Sequence, residues 1–242
     1  MFWDTVSLRF QKMVILMENV TEYRYERKYL VKVYSVQEVC SLLKLHPAVY
    51  LTAYPPRYVN SVYFDTPGFR NYNAHVNGEF KRTKIRIRWY GEHSGLVQNP
   101  VLEQKEKTGN AGIKRSYPLL PLMVDNGRAD WSSYLEKNQY LNNAAFKDSL
   151  FFPVIFIRYF RYYYISSDLQ CRLTIDTDVC YRNVSGSAVF KSFTDRCQNV
   201  AVVELKYSVA NDAVKYEPGT LFGTRTVGYS KYLNGVVKFL SS

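Results

Sequence analysis

Five stretches of the chain alternate charge with apolar bulk, and in each the charges share one face: Arg24–Glu26–Lys28, Lys84–Arg86–Arg88, Glu103–Lys105–Lys107, Arg172–Asp176 and Glu204–Lys206. A β-strand sends residues i and i+2 to the same side. KIRIRWY therefore reads as a strand with Lys84, Arg86 and Arg88 on one face and Ile85, Ile87 and Trp89 on the other. VVELKY sets Glu204 and Lys206 against Val203, Leu205 and Tyr207. The same periodicity predicts strands over 22–33, 58–64, 80–90, 100–107, 151–165, 171–182 and 200–207. Helices are predicted where the period lengthens. Ser35 and Glu38 form a capping box before an apolar stripe of Val36, Val39, Leu42 and Leu43, which His46-Pro47 ends. A turn at Asp65–Gly68 opens a short helical piece through His75. Asp130 caps a predicted helix over 130–141, and 228–240 repeats apolar residues at Tyr232, Val236 and Phe239. Residues 108–113 read as a loop, 118–130 as a connector and 183–199 as a polar loop.

Strands dominate, so the expected fold is α+β and mainly β, an antiparallel barrel with flanking helices. One such strand alone is a solvated sheet face. Five of them closed into a barrel line a charged tunnel with an apolar outside, and such a lining suits a polyphosphate chain with a divalent metal.

Composition narrows this reading. The 242 residues suffice for one large domain, and 47% hydrophobic content supports a sizeable core. A net charge of +11 favours polyanionic partners without choosing among them. Nucleic-acid binding is disfavoured, because the basic residues alternate with apolar ones on the opposite face instead of sharing an exposed face with aromatics. The cysteines Cys40, Cys171, Cys180 and Cys197 show no CxxC spacing, so buried thiols are expected, Cys180 among them. His46, His75 and His93 stand apart and read as surface or capping residues. No stretch approaches the roughly 20 apolar residues of a membrane span, which suggests a cytoplasmic protein. Residues 1–20 read as an extension and 21–242 as a single domain. There is no GxxxxGK[ST], GxSxG or kinase signature, so chemistry through metal and fixed positive charge, that is phosphoryl transfer, is the class left standing.

ERKYLV, SVYFDTPGF, KIRIRWYG, LEQKEK followed by Lys114-Arg115, Tyr159-x-Arg161, RLTIDTDV, VVELKY and a final SKY occur in that order between residues 22 and 240. Together they resemble the VTC domain, the polyphosphate polymerase domain of the vacuolar transporter chaperone, within the triphosphate tunnel metalloenzyme or CYTH-like superfamily. The resemblance implies an eight-stranded antiparallel tunnel, ATP and inorganic polyphosphate as ligands, Mn²⁺ or Mg²⁺ as cofactor, and transfer of the ATP γ-phosphate to a growing chain. By motif, Lys28, Arg86, Arg88 and Lys105 would hold the reacting phosphates. Lys114, Arg161, Arg172, Arg182, Lys206 and Lys231 would extend the basic lining. Glu204 would carry the metal, with Glu26 at the superfamily's amino-terminal acidic position and Glu103 as helper. The usual E-x-E-x-K reads Arg24-x-Glu26-x-Lys28 here, which points to one metal in a more basic tunnel. No SPX domain or membrane helix accompanies the motifs, so any membrane association would come through a separate partner. The alternatives are a triphosphatase on the same tunnel and a non-catalytic polyanion-binding module. Asp176 is expected to neutralise Arg172, and Tyr159–Tyr164 to belong to the core.

Overall fold

A computed structural model describes residues 24–32, 36–109, 111–138, 151–184, 195–196, 199–208 and 218–240 of the chain. The expected extension at 1–20, Ser35 of the capping box, and residues 139–141 of the third predicted helix lie outside them.

The strands are β1 (Arg24–Lys32), β2 (Tyr50–Asp65), β3 (Lys81–Tyr90), β4 (Gly95–Val97), β5 (Val101–Thr108), β6 (Ala111–Pro118), β7 (Leu122–Val124), β8 (Phe152–Ser166), β9 (Cys171–Asn183), β10 (Asp195–Arg196) and β11 (Val200–Ser208). The helices are α1 (Val36–Lys44), α2 (Arg70–Val76), α3 (Trp131–Lys137), α4 (Gly219–Phe222) and α5 (Lys231–Leu240). Eight strands form one antiparallel sheet in the order β1-β11-β9-β8-β2-β3-β5-β6, while β10 adds to β9 and β4 pairs with β7. The sheet curls strongly. β1 opens that order and β5 stands next to its far end, yet Lys105 Nζ reaches Glu26 Oε2 at 3.2 Å. The free edge of β1 is covered by the segment leading into α5: Val227 N–H donates to Lys28 O at 2.8 Å, and Tyr29 bridges Thr226.

Alternation sorts the core as the sequence implies. The apolar faces of β1, β9 and β11 (Tyr29, Val31, Leu173, Ile175, Val203, Leu205) pack under α1 through Val39 and Leu43. Ile85, Ile87, Trp89, Leu102 and Phe156 pack with Trp131 and Tyr134 of α3 and with Val97, Leu122 and Val124 of the small β4–β7 ribbon. Asp130 caps α3 by accepting from Ser133 N–H at 3.2 Å, as expected. The charged side of the sheet is also partly apolar: Val59, Tyr63, Ile155, Ile157, Tyr159, Val179 and Tyr181 receive Tyr232 and Val236 of α5. Gly235 permits this docking, since a Cβ there would lie 2.8 Å from Tyr181 and 3.1 Å from Ile155.

Three departures from the sequence reading have local causes. β2 begins at Tyr50, not 58, and runs through Pro55-Pro56. The register with β8 breaks on both sides of Tyr54, and β3 pairs only from Val59 onward, so the prolines deny no ladder bond on that side. The expected loop at 108–113 is a tight turn at Gly109 (φ 61) into β6, and Leu122–Val124 within the expected connector forms β7. β9 carries a bulge: Arg158 faces Cys180 but Phe160 faces Thr177, with Asp178 at φ 50.

Candidate functional site

The charged faces of β1, β3, β5, β9 and β11 turn towards one another and are joined by α5. Register pairs opposite charges at the start of this lining: Lys28 lies across from Glu204, and Glu26 from Lys206. Lys28 Nζ sits 2.7 Å from Glu26 Oε1 and 4.0 Å from Glu204 Oε2. Lys206 Nζ reaches Glu204 Oε1 at 2.6 Å. A second knot forms around Glu103, only 7% exposed. Arg86 gives Oε2 its Nε at 2.6 Å and its Nη2 at 2.5 Å, Arg88 Nη1 stands 3.6 Å away, and Lys114 Nζ binds Oε1 at 2.7 Å. A third surrounds the fully buried Asp176. Arg161 grips it in a fork at 2.5 and 2.7 Å, and Lys231 of α5 adds Nζ at 2.5 Å.

Positive charge outnumbers negative in this space, and ionisation follows. Burial and Glu204 push Glu26 up, but Lys28, Lys206 and Lys105 outweigh them and hold it at about 2. Burial opposes ionisation of Glu204, yet Lys206, Lys28 and Arg161 hold it well below the usual carboxylate range. Glu103 and Asp176 are likewise held low against their burial, by Arg86, Arg88 and Lys114 in one case and by Arg161 and Lys231 in the other. Lys84 behaves oppositely. Burial first, then Lys28, Lys105 and Arg86, press its ammonium down to about 7, and its short contact is a donation to Ser230 Oγ at 2.9 Å. Half-buried and surrounded by like charge, its ammonium is disfavoured by both burial and repulsion.

The structure thus brings together Lys28, Arg86, Arg88, Lys105, Lys114, Arg161, Lys206, Lys231, Glu26, Glu103 and Glu204. Arg172 stands on the same face of β9, opposite Lys206. Arg182 does not join them. The bulge at Asp178 inverts the alternation, so Val179 and Tyr181 face α5 and Arg182 pairs in register with Phe156 on the α3 side, near Arg128 and Asp125. Asp176 is bound by Arg161 and Lys231 where the sequence suggested Arg172. Lys84 and Ser230 were visible in KIRIRWY and SKY, but their pairing needs α5 folded against β3. Asp65 reads in the sequence only as a turn residue. Fully buried, it accepts from Asn71 and Tyr72 N–H at the start of α2 and from the Tyr232 hydroxyl at 2.5 Å, so it anchors the helix that presents Lys231.

The donor set can be tested against a divalent metal. Among the described residues no three His, Cys, Asp or Glu side chains gather to hold one alone. Glu26 and Glu204 are ionised oxygen donors sharing one lysine, which suits a cation held by one or two carboxylates plus substrate oxygens. Glu103 does not fit, because both its oxygens are taken by Arg86, Arg88 and Lys114.

The fold is thus a curled antiparallel sheet with apolar outer faces under the helices and an inner face of lysine, arginine and sparse carboxylate. The sequence model of the VTC domain matches residues 23–240, and the chain belongs to that family. Among curated proteins none matches the chain. Among solved structures, a protein from Vibrio parahaemolyticus proposed to be an adenylate cyclase is 11% identical, with a TM-score of 0.48 over 92% of this chain and 100% of its own. A Hippeastrum protein proposed to be an adenylyl cyclase, and described as having a dominant triphosphatase activity, is 15% identical, with a TM-score of 0.44 over 88% and 96%. At this level of likeness nothing about this chain's chemistry follows from either. Among the described residues no helix is long and apolar enough to cross a membrane.

Proposed function

We propose that this chain is a metal-dependent, ATP-consuming polyphosphate polymerase. The observation that carries the reading is the convergence of Lys28, Arg86, Arg88, Lys105, Arg161 and Lys231 on one enclosed face beside the ionised pair Glu26 and Glu204, in a member of the VTC domain family. The triphosphate lies along the cations. A terminal oxygen of the polyphosphate attacks the γ-phosphorus, the bond to the β-phosphate oxygen breaks, and ADP leaves with that oxygen. Arg86 and Arg88 spread the charge of the phosphoryl group in flight, which needs positioning and electrostatics more than covalent help. Glu204 and Glu26 would hold Mn²⁺ or Mg²⁺, which neutralises charge on the β- and γ-oxygens when bound. Lys114 and Lys206, half-exposed, guide the polymer beyond the reacting phosphates. A membrane partner would act from outside this lining.

The test is incubation with ATP and Mn²⁺, with and without a short polyphosphate primer, followed by gel separation. Ladders of lengthening polyphosphate are expected. ADP and orthophosphate alone would make the protein a triphosphatase, and tight polyphosphate binding without ATP consumption would make it a binding module.

A further inference from the structure

The inner faces of β2, β3 and β8 continue past the phosphate-binding cations. Inward positions on β8 run Tyr159, Arg161, Tyr163, and those on β3 run Arg86, Arg88, Tyr90. On β2, Val59 stands opposite both Tyr90 and Tyr159, Arg57 opposite Arg161, and Tyr54 opposite Tyr163. Exposure rises abruptly along this face. Val59 is 0%, Tyr159 2% and Arg88 9% exposed, whereas Tyr90 is 45% exposed and Arg57 lies open. Tyr90 and Arg57 therefore stand at the solvent edge of the lining.

A collar of rings surrounds one guanidinium there. Arg57 Cζ lies 4.0 Å from the centroid of Tyr90 and 5.3 Å from that of Tyr163, and its Nε donates to the Tyr163 hydroxyl at 3.3 Å. Tyr54 meets Tyr163 edge-on, with centroids 5.7 Å apart. Among the described residues Arg57 forms no ion pair with a carboxylate. An arginine over a tyrosine ring in solvent, on the face that carries the cations, presents π-surface and no core to bury it in.

We propose that this collar is the nucleobase subsite. The base stacks on Tyr90 and the Arg57 guanidinium, while its phosphates run past Arg161 to Arg88. The inference rests on the reading of this chain as a nucleoside-triphosphate enzyme. Arg88 lies one strand step of two residues, about 7 Å, inward of Tyr90, a span a ribose can bridge, and Arg161 stands level with Arg57 on the neighbouring strand. Stacking recognises any base, since each has a π-face. Tyrosine rings and a guanidinium already engaged with them read no particular base edge. The collar distinguishes nucleotide from inorganic polyphosphate, and does not distinguish ATP from GTP.

Calorimetric binding of ATP, GTP and inorganic tripolyphosphate, in EDTA so that no turnover occurs, tests this on wild type, Tyr90→Ala and Tyr90→Phe. Tyr90→Ala should weaken ATP and GTP alike by about tenfold, the scale of losing one aromatic stacking partner. Tripolyphosphate affinity should change less than about twofold, and Tyr90→Phe should behave as wild type. Wild-type ATP binding that is insensitive to Tyr90→Ala, or a loss shared equally by tripolyphosphate, overturns the collar and leaves the nucleotide reading standing. A wild-type protein that binds tripolyphosphate but gains nothing from a base overturns the collar too. One that binds neither ligand overturns both.

Discussion

Lys84 supplies the sharpest consequence of the buried lining. Desolvation, reinforced by Lys28, Lys105 and Arg86, places its titration near 7, and Glu26 pulls the other way. At pH 8 the free protein therefore holds Lys84 about nine-tenths neutral. A bound triphosphate reverses the local field and favours the ammonium. Binding must then draw a proton from solution: about 0.9 per site at pH 8, about 0.5 at pH 7 and about 0.1 at pH 6. The sign is opposite to simple screening, because affinity is highest below pH 7 and falls as pH rises through the titration of the free site, by up to about tenfold per pH unit. Terminal phosphate protons ionise near pH 6 and contribute little at pH 8. Calorimetric titration with tripolyphosphate in two buffers of different ionisation enthalpy reads the uptake directly. Lys84→Arg keeps the charge at every pH, so it should bind without proton uptake and with a flatter pH profile. Wild-type uptake below about 0.2 proton at pH 8, or uptake undiminished in Lys84→Arg, would refute the assignment.

The remaining predictions concern the three carboxylate knots. Glu204→Gln should abolish divalent-dependent turnover while tripolyphosphate binding in EDTA stays within a few fold; unchanged turnover would remove Glu204 from the metal site. Arg86→Ala should lower kcat on the order of 10³-fold, the lower end for an arginine stabilising a transferring phosphoryl group, and a loss under about tenfold would show that it only shapes the lining. Asp176→Ala leaves Arg161 and Lys231 buried without a counter-charge, which costs about 3–5 kcal/mol and lowers Tm by about 10 °C. A shift of about 2 °C or less in thermal unfolding would contradict that burden.

Legibility varied with how local the cause was. Strands β3 and β11 announce themselves through strict alternation, because each buries one face and turns the other to charge; β1 and β5 keep the charges on one face but carry Arg27, Gln104 and Glu106 on the other. The grouping of their cations follows from parity alone once the sheet curls. Parity is also where the reading of Arg182 broke: a single extra residue at Asp178 carries no sequence mark, yet it turns every later side chain of β9 to the other face. Pro55-Pro56 hid the first half of β2, because their tolerance depends on β3 being absent there. Gly109 and Gly112 disguised the start of β6 as a loop. Asp65 looked like a turn residue, and only the arrival of Tyr232 from 167 positions away makes it an anchor.

That reach along the chain governs how the protein is made. β1 is synthesised before the other described strands, but its hydrogen-bonding partner β11 follows some 180 residues later, and the segment covering its other edge later still, with Lys28 and Tyr229 separated by 201 positions. Synthesis at about 5–20 residues per second leaves β1 waiting on the order of ten seconds for its neighbours. Over that interval its apolar face and both edges are open to chaperones or to other chains. Lys231 arrives last of the lining cations, so the lining is incomplete until it has been synthesised. Loss of the segment from Thr226 to Lys231 would uncover the β1 edge and remove a lining cation together.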